Sequence, residues 1–231
     1  MSLPIILLTI LAIATAILFS VLRVTHGGVV SLLTKTLASF CFVVLGVVVA
    51  FSNRNIDVAM YVVLGLICGM IGDILLDLKS VDQTRGNSYL NYGMFAFGLG
   101  HVFYVLFAGI IVGKNVTTEL LIAGAIALAF TVIVVFFSNK LLGLKLGMFL
   151  AQSSVYAFFL TFAAAFAVAL SVTISFLWPF AIALVCFWAS DLVLSLMYFG
   201  GREKSVVLSL TNHVLYYGAQ IVIALFITTM I

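Results

Sequence analysis

Apolar runs of about 20 residues, the length an α-helix needs to cross a hydrocarbon core, recur along the whole 231-residue chain. They predict spans at residues 3–22, 29–51, 58–78, 90–112, 118–138, 146–170, 174–197 and 206–230, with short connections between them. Charged residues make up only 7% of the chain and hydrophobic ones 65%. A soluble domain carries about a quarter charged residues, so too little polar surface is left here to cover a water-soluble globule. The expected fold is an all-α polytopic transmembrane bundle of eight helices, a single transmembrane domain over residues 1–231. A membrane β-barrel would show alternating segments of about ten residues, and the sequence has none. The opening "MSLPIILLTILAIATAILFSVLR" lacks a basic n-region and a small-residue cleavage site, so it reads as a retained first helix.

Three further features narrow the function. Cys41, Cys68 and Cys186 all lie in apolar runs without metal-ligand or disulfide spacing, and read as small buried hydrophobes. The net charge of +3 comes with no basic patch or arm, so no nucleic-acid partner is expected. The odd-numbered connections and their flanks hold Arg23, Lys35, Lys79, Arg85, Lys140, Lys145, Arg202 and Lys204, whereas the even-numbered ones hold only Arg54 and Lys114. The positive-inside rule then puts both termini outside and the odd connections in the cytoplasm. The expected location is the bacterial plasma (inner) membrane.

Ionisable groups inside a membrane span cost a few kcal/mol each and mark function by default. They are few here. The third span carries Asp73 and Asp77 within "CGMIGDILLD", and the second carries Lys35. The fourth has His101 and Tyr104, the sixth Gln152 and Tyr156, the seventh Asp191, and the eighth Asn212, His213, Tyr216, Tyr217 and Gln220. On the orientation above, Asp73 lies about 7 Å from the cytoplasmic edge at 1.5 Å per residue, and Asp191 at a similar depth. Every one of these groups falls in the cytoplasmic half or near the midplane, as a cavity opening to one leaflet would require. Gly65, Gly69, Asp73 and Asp77 follow one another at steps of four, which predicts one stripe of the third helix, with glycines admitting a close neighbour above the acids. Met94, Phe97, His101 and Tyr104 share a face of the fourth helix, and His213, Tyr217 and Gln220 one of the eighth.

"GDILLDL" (72–78) aligns with "SDLVLSL" (190–196) at an offset of 118, placing Asp73 on Asp191. This is either a trace of a parallel duplication, with the two aspartates facing each other across the bundle, or chance similarity between leucine-rich helices. Each residue also has a plainer reading. Asp77, near its helix end, is expected to meet water as a solvated rim charge. A structural salt bridge, with Lys35 as the partner, is the alternative for Asp73 and Asp191. Lys35 otherwise snorkels to the interface. His101 and His213 otherwise serve as interhelical hydrogen bonders, Tyr89 and Tyr92 as interfacial belt residues, and His26 is a loop residue. His101, His213, Asp73 and Asp191 supply enough ligand types for a metal, but no H-x-x-x-H or H-x-x-E-H pair is present. No G-x-S-x-G elbow marks a serine hydrolase.

"GDILL", "YGMFAFGLGHVFY", "SDLVLSLMYF" and "YYGAQIVIA", within residues 72–104 and 190–224, resemble in order the motifs of the YhhN-like membrane proteins, whose animal members are lysoplasmalogenases. "LTKTLA" (33–38) and "SSVYA" (153–157) are similar to the family's early lysine motif and its tyrosine in the sixth helix. Met197, where a polar residue is expected, and Asn212–His213 ahead of the tyrosine pair depart from the pattern. The resemblance implies hydrolysis of the vinyl ether bond of a lysoplasmalogen, giving a fatty aldehyde and a glycerophospho-ethanolamine or -choline, with no cofactor. Asp73 and Asp191 are the implied acid and base pair. His101, Tyr104, Tyr156, Asn212, His213, Tyr217 and Gln220 are expected to contact substrate or water, and Lys35 and Arg85 the lipid phosphate at the rim. The competing classes are a lipid or small-solute transporter or binding protein, and an intramembrane metallo-hydrolase.

Overall fold

The structure, a computed structural model, describes residues 2–113 and 115–230; Lys114, one of the two cations expected outside, lies beyond the described residues. It consists of α1 (Leu3–Thr25), α2 (Gly28–Phe51), α3 (Ile56–Val81), α4 (Gly86–Val112), α5 (Thr117–Leu142), α6 (Leu150–Thr173), α7 (Trp178–Tyr198) and α8 (Val206–Phe226). Among the described residues these eight are long and apolar enough to cross a membrane. The protein is an integral membrane protein of the all-α class.

The predicted spans 146–170, 174–197 and 206–230 are each trimmed by a short 3₁₀ turn, at Gly147–Phe149, Ser175–Leu177 and Ile227–Met230. Local chemistry sets two of these boundaries. Gly147 takes a positive φ of 51°, which a helix cannot use. Pro179 falls in the first turn of α7, where its missing N–H is not needed. At the far end of α5, Gly143 (φ 69°) closes the helix in the left-handed conformation and donates its N–H to Asn139 O at 2.8 Å.

The chain divides into two compact units, Met1–Phe107 with Gln220–Ile231, and Ala108–Ala219. In the first unit α2 packs between α1 and α3. Its interior holds Phe19, Phe42, Leu45, Leu66 and Phe107, all wholly buried. Phe107 meets Phe226 edge to face at 6.0 Å, and Asn53 Nδ2 donates to Ile227 O at 2.8 Å. In the second unit α6 packs between α5 and α7, around Leu160, Phe166, Phe180, Leu184 and Phe187. Trp188 Nε1 donates to Thr161 Oγ1 at 3.0 Å, tying α7 to α6.

Glycines do set a close helix contact in the first unit, though not along the expected stripe. A Cβ on Gly65 would fall 2.2 Å from the Tyr104 ring, and one on Gly72 2.6 Å from Phe97. A Cβ on Gly100 would fall 3.1 Å from Gly65 O. Gly65 thus faces α4, whereas Asp73 and Asp77 face α2 and α1. The reason is geometric: steps of four advance about 400°, so two of them swing a side chain about 80° around the axis. The α4 face holds as expected, with Met94, Phe97, His101 and Tyr104 all buried.

Candidate functional site

In the first unit the polar residues of α2 recur at the helical repeat: Ser31, Lys35 and Ser39, four apart. They lie opposite Asp73 and Asp77, four apart on α3, and the two rows close like a zip. Ser39 Oγ donates to Asp73 Oδ2 at 2.5 Å. Lys35 Nζ stands between the two acids, 3.2 Å from Asp73 Oδ1 and 3.6 Å from Asp77 Oδ1. Ser31 Oγ donates to Asp77 Oδ2 at 2.8 Å. From α1, Arg23 Nη1 reaches Ser31 Oγ at 2.9 Å and both Asp77 carboxylate oxygens at 3.3 Å. Two carboxylates and two cations make the cluster formally neutral, which is the condition for burying charge at tolerable cost. Lys35 Nζ also lies 5.9 Å from the Phe19 ring centroid, within cation–π range.

This arrangement corrects two expectations. Asp77 is not a rim charge meeting water: its side chain is 2% exposed and it is held from three directions, by Arg23, Ser31 and Lys35. Lys35 does not snorkel outward, because the two carboxylates draw its ammonium inward and leave the side chain 12% exposed. The alternative weighed for Asp73, an ion pair with Lys35, is present.

Higher in the same unit, Tyr104 Oη donates to Gln220 Oε1 at 3.0 Å, both side chains being buried. His101 Nδ1 donates to Phe97 O, one turn back on its own helix, at 2.8 Å, and its ring meets Tyr104 edge-on at 6.1 Å. That bond places the ring proton of a neutral His101 on Nδ1. Arg85 is exposed on the 3₁₀ turn Gln83–Arg85. Beside it, Asp82 accepts from Thr84 Oγ1 at 2.5 Å and from Tyr89 Oη at 3.2 Å. The Thr84 hydroxyl bond holds the Asp82 carboxyl below its usual range.

The second unit has its own acid. Tyr156 of α6 donates its hydroxyl to Asp191 Oδ2, and Ser190 Oγ lies 3.3 Å from Asp191 Oδ1. Asn212 Nδ2 of α8 donates to Ser190 O at 2.8 Å, fixing the backbone beside the acid. His213 Nε2 is 3.5 Å from Ser209 Oγ one turn away. Tyr217 is buried against Tyr216, which in turn packs on Phe187. Gln152 is exposed. Among the described residues no three His, Cys, Asp or Glu side chains converge as a metal site would need.

Sequence reasoning brought Lys35, Asp73 and Asp77 to notice but missed Arg23, Ser31, Ser39 and Ser190. The signal for two of them was legible: Ser31 and Ser39 flank Lys35 at the same spacing that separates the two acids. The model of the YhhN family matches residues 30–227. The chain belongs to the YhhN family. No curated protein and no solved structure matches it. In this YhhN protein the matched stretch includes both acids, Asp73 and Asp191, and the hydroxyls that hold them, but not Arg23.

Proposed function

We propose that this YhhN protein is a lysoplasmalogenase-like hydrolase of the bacterial inner membrane, cleaving lysoplasmenyl-ethanolamine or -choline, with both termini outside. The observation that carries the reading is the pair of acids on membrane-spanning helices, each held by a hydroxyl from a neighbouring helix: Asp73 by Ser39 and Asp191 by Tyr156. A vinyl ether is not open to direct attack by hydroxide. Its β-carbon must first take a proton, leaving an oxocarbenium ion. Water adds to that ion and returns a proton, and the resulting hemiacetal collapses to an aldehyde and a glycerol hydroxyl. The sequence of events needs one group that gives a proton and another that stabilises the cation and receives a proton back. Asp73 and Asp191 are the residues assigned to that work. Lys35 Nζ lies 3.2 Å from Asp73 Oδ1, beside the reacting acid of the first unit. Tyr104, Gln220 and His101 in the first unit, and Tyr156, Asn212, His213 and Tyr217 in the second, are the polar side chains that this reading assigns to contact with substrate and water.

The test is a product assay. Purified protein is incubated with lysoplasmenyl-ethanolamine and with its ester-linked lyso analogue, and free aldehyde is measured. Aldehyde from the vinyl ether alone is the expected result. No aldehyde from either, together with flux or binding in liposomes, would assign the protein to lipid transport instead.

A further inference from the structure

We propose that Arg23 is the ligand for the phosphate of a lysophospholipid headgroup, and that Lys35, read from sequence as a phosphate contact, is an internal counter-ion. The proposal rests on the reading of the substrate as a single-chain phospholipid, and adds to it a residue that the family match does not cover.

The two cations of the cluster are placed differently. The ammonium of Lys35 stands between two carboxylates that are 2–3% exposed, and its charge is committed to them. Arg23 keeps 26% of its side chain exposed. All of its hydrogen bonds among the described residues leave from Nη1, to Ser31 and to Asp77. A guanidinium carries five N–H donors in a fixed fork, so the three on Nε and Nη2 remain for an acceptor arriving from outside. A phosphate diester offers two oxygens at the spacing that such a fork matches. Asp77 and Ser31 meanwhile hold the inner edge of the plane, so the outer edge is oriented in advance.

The location also suits. Arg23 is in the last turn of α1, at the end of the unit where α1 meets α2 and α3 meets α4. Cationic side chains near helix ends reach the interfacial level at which lipid phosphates lie. Lys79, in the last turn of α3 at that same end, adds positive charge. The alkyl chain of a lipid held at Arg23 would extend along the span.

Equilibrium binding separates this proposal from the hydrolysis itself, because its probes contain no vinyl ether. Purified protein is titrated with ester-linked lysophosphatidylethanolamine and with the monoacylglycerol of the same chain. The wild type is expected to bind the phosphate-bearing lipid at least tenfold more tightly. Arg23→Gln should weaken that binding about tenfold, the worth of one charge-assisted contact, and leave the monoacylglycerol unchanged. Arg23→Lys, which keeps the charge and loses the fork, should fall between. Arg54→Gln should match the wild type. If Arg23→Gln does not fold, Arg23→Lys decides the matter: undiminished phosphate discrimination overturns the proposal. Equal weakening towards both lipids also overturns it, since that is the behaviour of a purely structural ion pair. Inorganic phosphate is the remaining arm; heat protection by it with none from the lysolipid would assign the site to free anions and overturn the headgroup. A protein that binds as expected but releases no aldehyde would overturn the hydrolase reading and leave Arg23 in place.

Discussion

Asp73 and Asp191 occupy like positions in their own units and are stabilised by unlike means. Each lies on the third helix of its unit, and each accepts a hydrogen bond from a hydroxyl on the second, Ser39 of α2 or Tyr156 of α6. Around Asp73 the first unit adds Lys35 and a second acid, Asp77. Moving 118 residues along the chain, the offset that superposes the two acids, turns Lys35 into Ser153 and Asp77 into Ser195. Where the first unit has a cation and an anion, those positions of the second hold two hydroxyls. The comparison teaches that a hydroxyl from the neighbouring helix is common to both acids, whereas the shared cation and second acid are features of the surroundings of Asp73.

The largest expected effect is on the proposed hydrolysis. Asp73→Asn and Asp191→Asn should each lower aldehyde release by about 10²–10⁴-fold, the usual worth of a proton-transferring group. Loss confined to one of them would break the equivalence and leave a single catalytic acid. Stability should separate the two sites next. Lys35→Met leaves two buried carboxylates without their shared cation and should destabilise the detergent-solubilised protein by about 3–5 kcal/mol. Tyr156→Phe removes one hydrogen bond and should cost about 1 kcal/mol. The double variant Lys35→Ser/Asp77→Ser copies the second unit into the first. It should be more stable than the sum of its single variants predicts, by about 1–3 kcal/mol in a double-mutant cycle; strict additivity would mean that the two charges are independent. The smallest contrast concerns packing. Gly65→Ala sets a methyl group 2.2 Å from the Tyr104 ring, and should cost about 1–3 kcal/mol. Gly109→Ala, with nothing within 4 Å, should leave thermal stability unchanged or slightly raised.

The helices and the bundle class were legible because length and hydropathy leave a membrane chain little choice. The family was legible from short motifs. Residues of the candidate site were legible only where a side chain is costly by itself: Asp73, Asp191 and Lys35 stand out in any apolar run. Ser31 and Ser39 did not, because a serine in a membrane helix can satisfy itself on its own backbone and carries no penalty that demands notice. Arg23 was counted as an orientation charge, since nothing in a linear reading brings the end of the first helix to the third. Asp77 was misjudged because its nearness to the helix end was read as access to water. Gly65 was put on the face of the acids because the drift of successive steps of four around the axis was not counted.

The zip between α2 and α3 also bears on how the chain enters its membrane. Lys35 is made first and the acids follow, across the short connection between Phe51 and Ile56. A charge presented alone opposes insertion by up to about 2.5–3.5 kcal/mol at the centre of a helix and by less towards its ends, where these lie. Lys35 matches one of the acids, Asp73, within the hairpin, and Arg23 of α1, made earlier still, matches the other, Asp77. In a translocon insertion assay α3 should therefore integrate more efficiently behind α2 than alone, and Lys35→Met should ease the entry of α2 while hindering that of α3. That outcome would make the Lys35–Asp73 contact a contributor to the insertion of two spans as well as to the packing of the finished bundle.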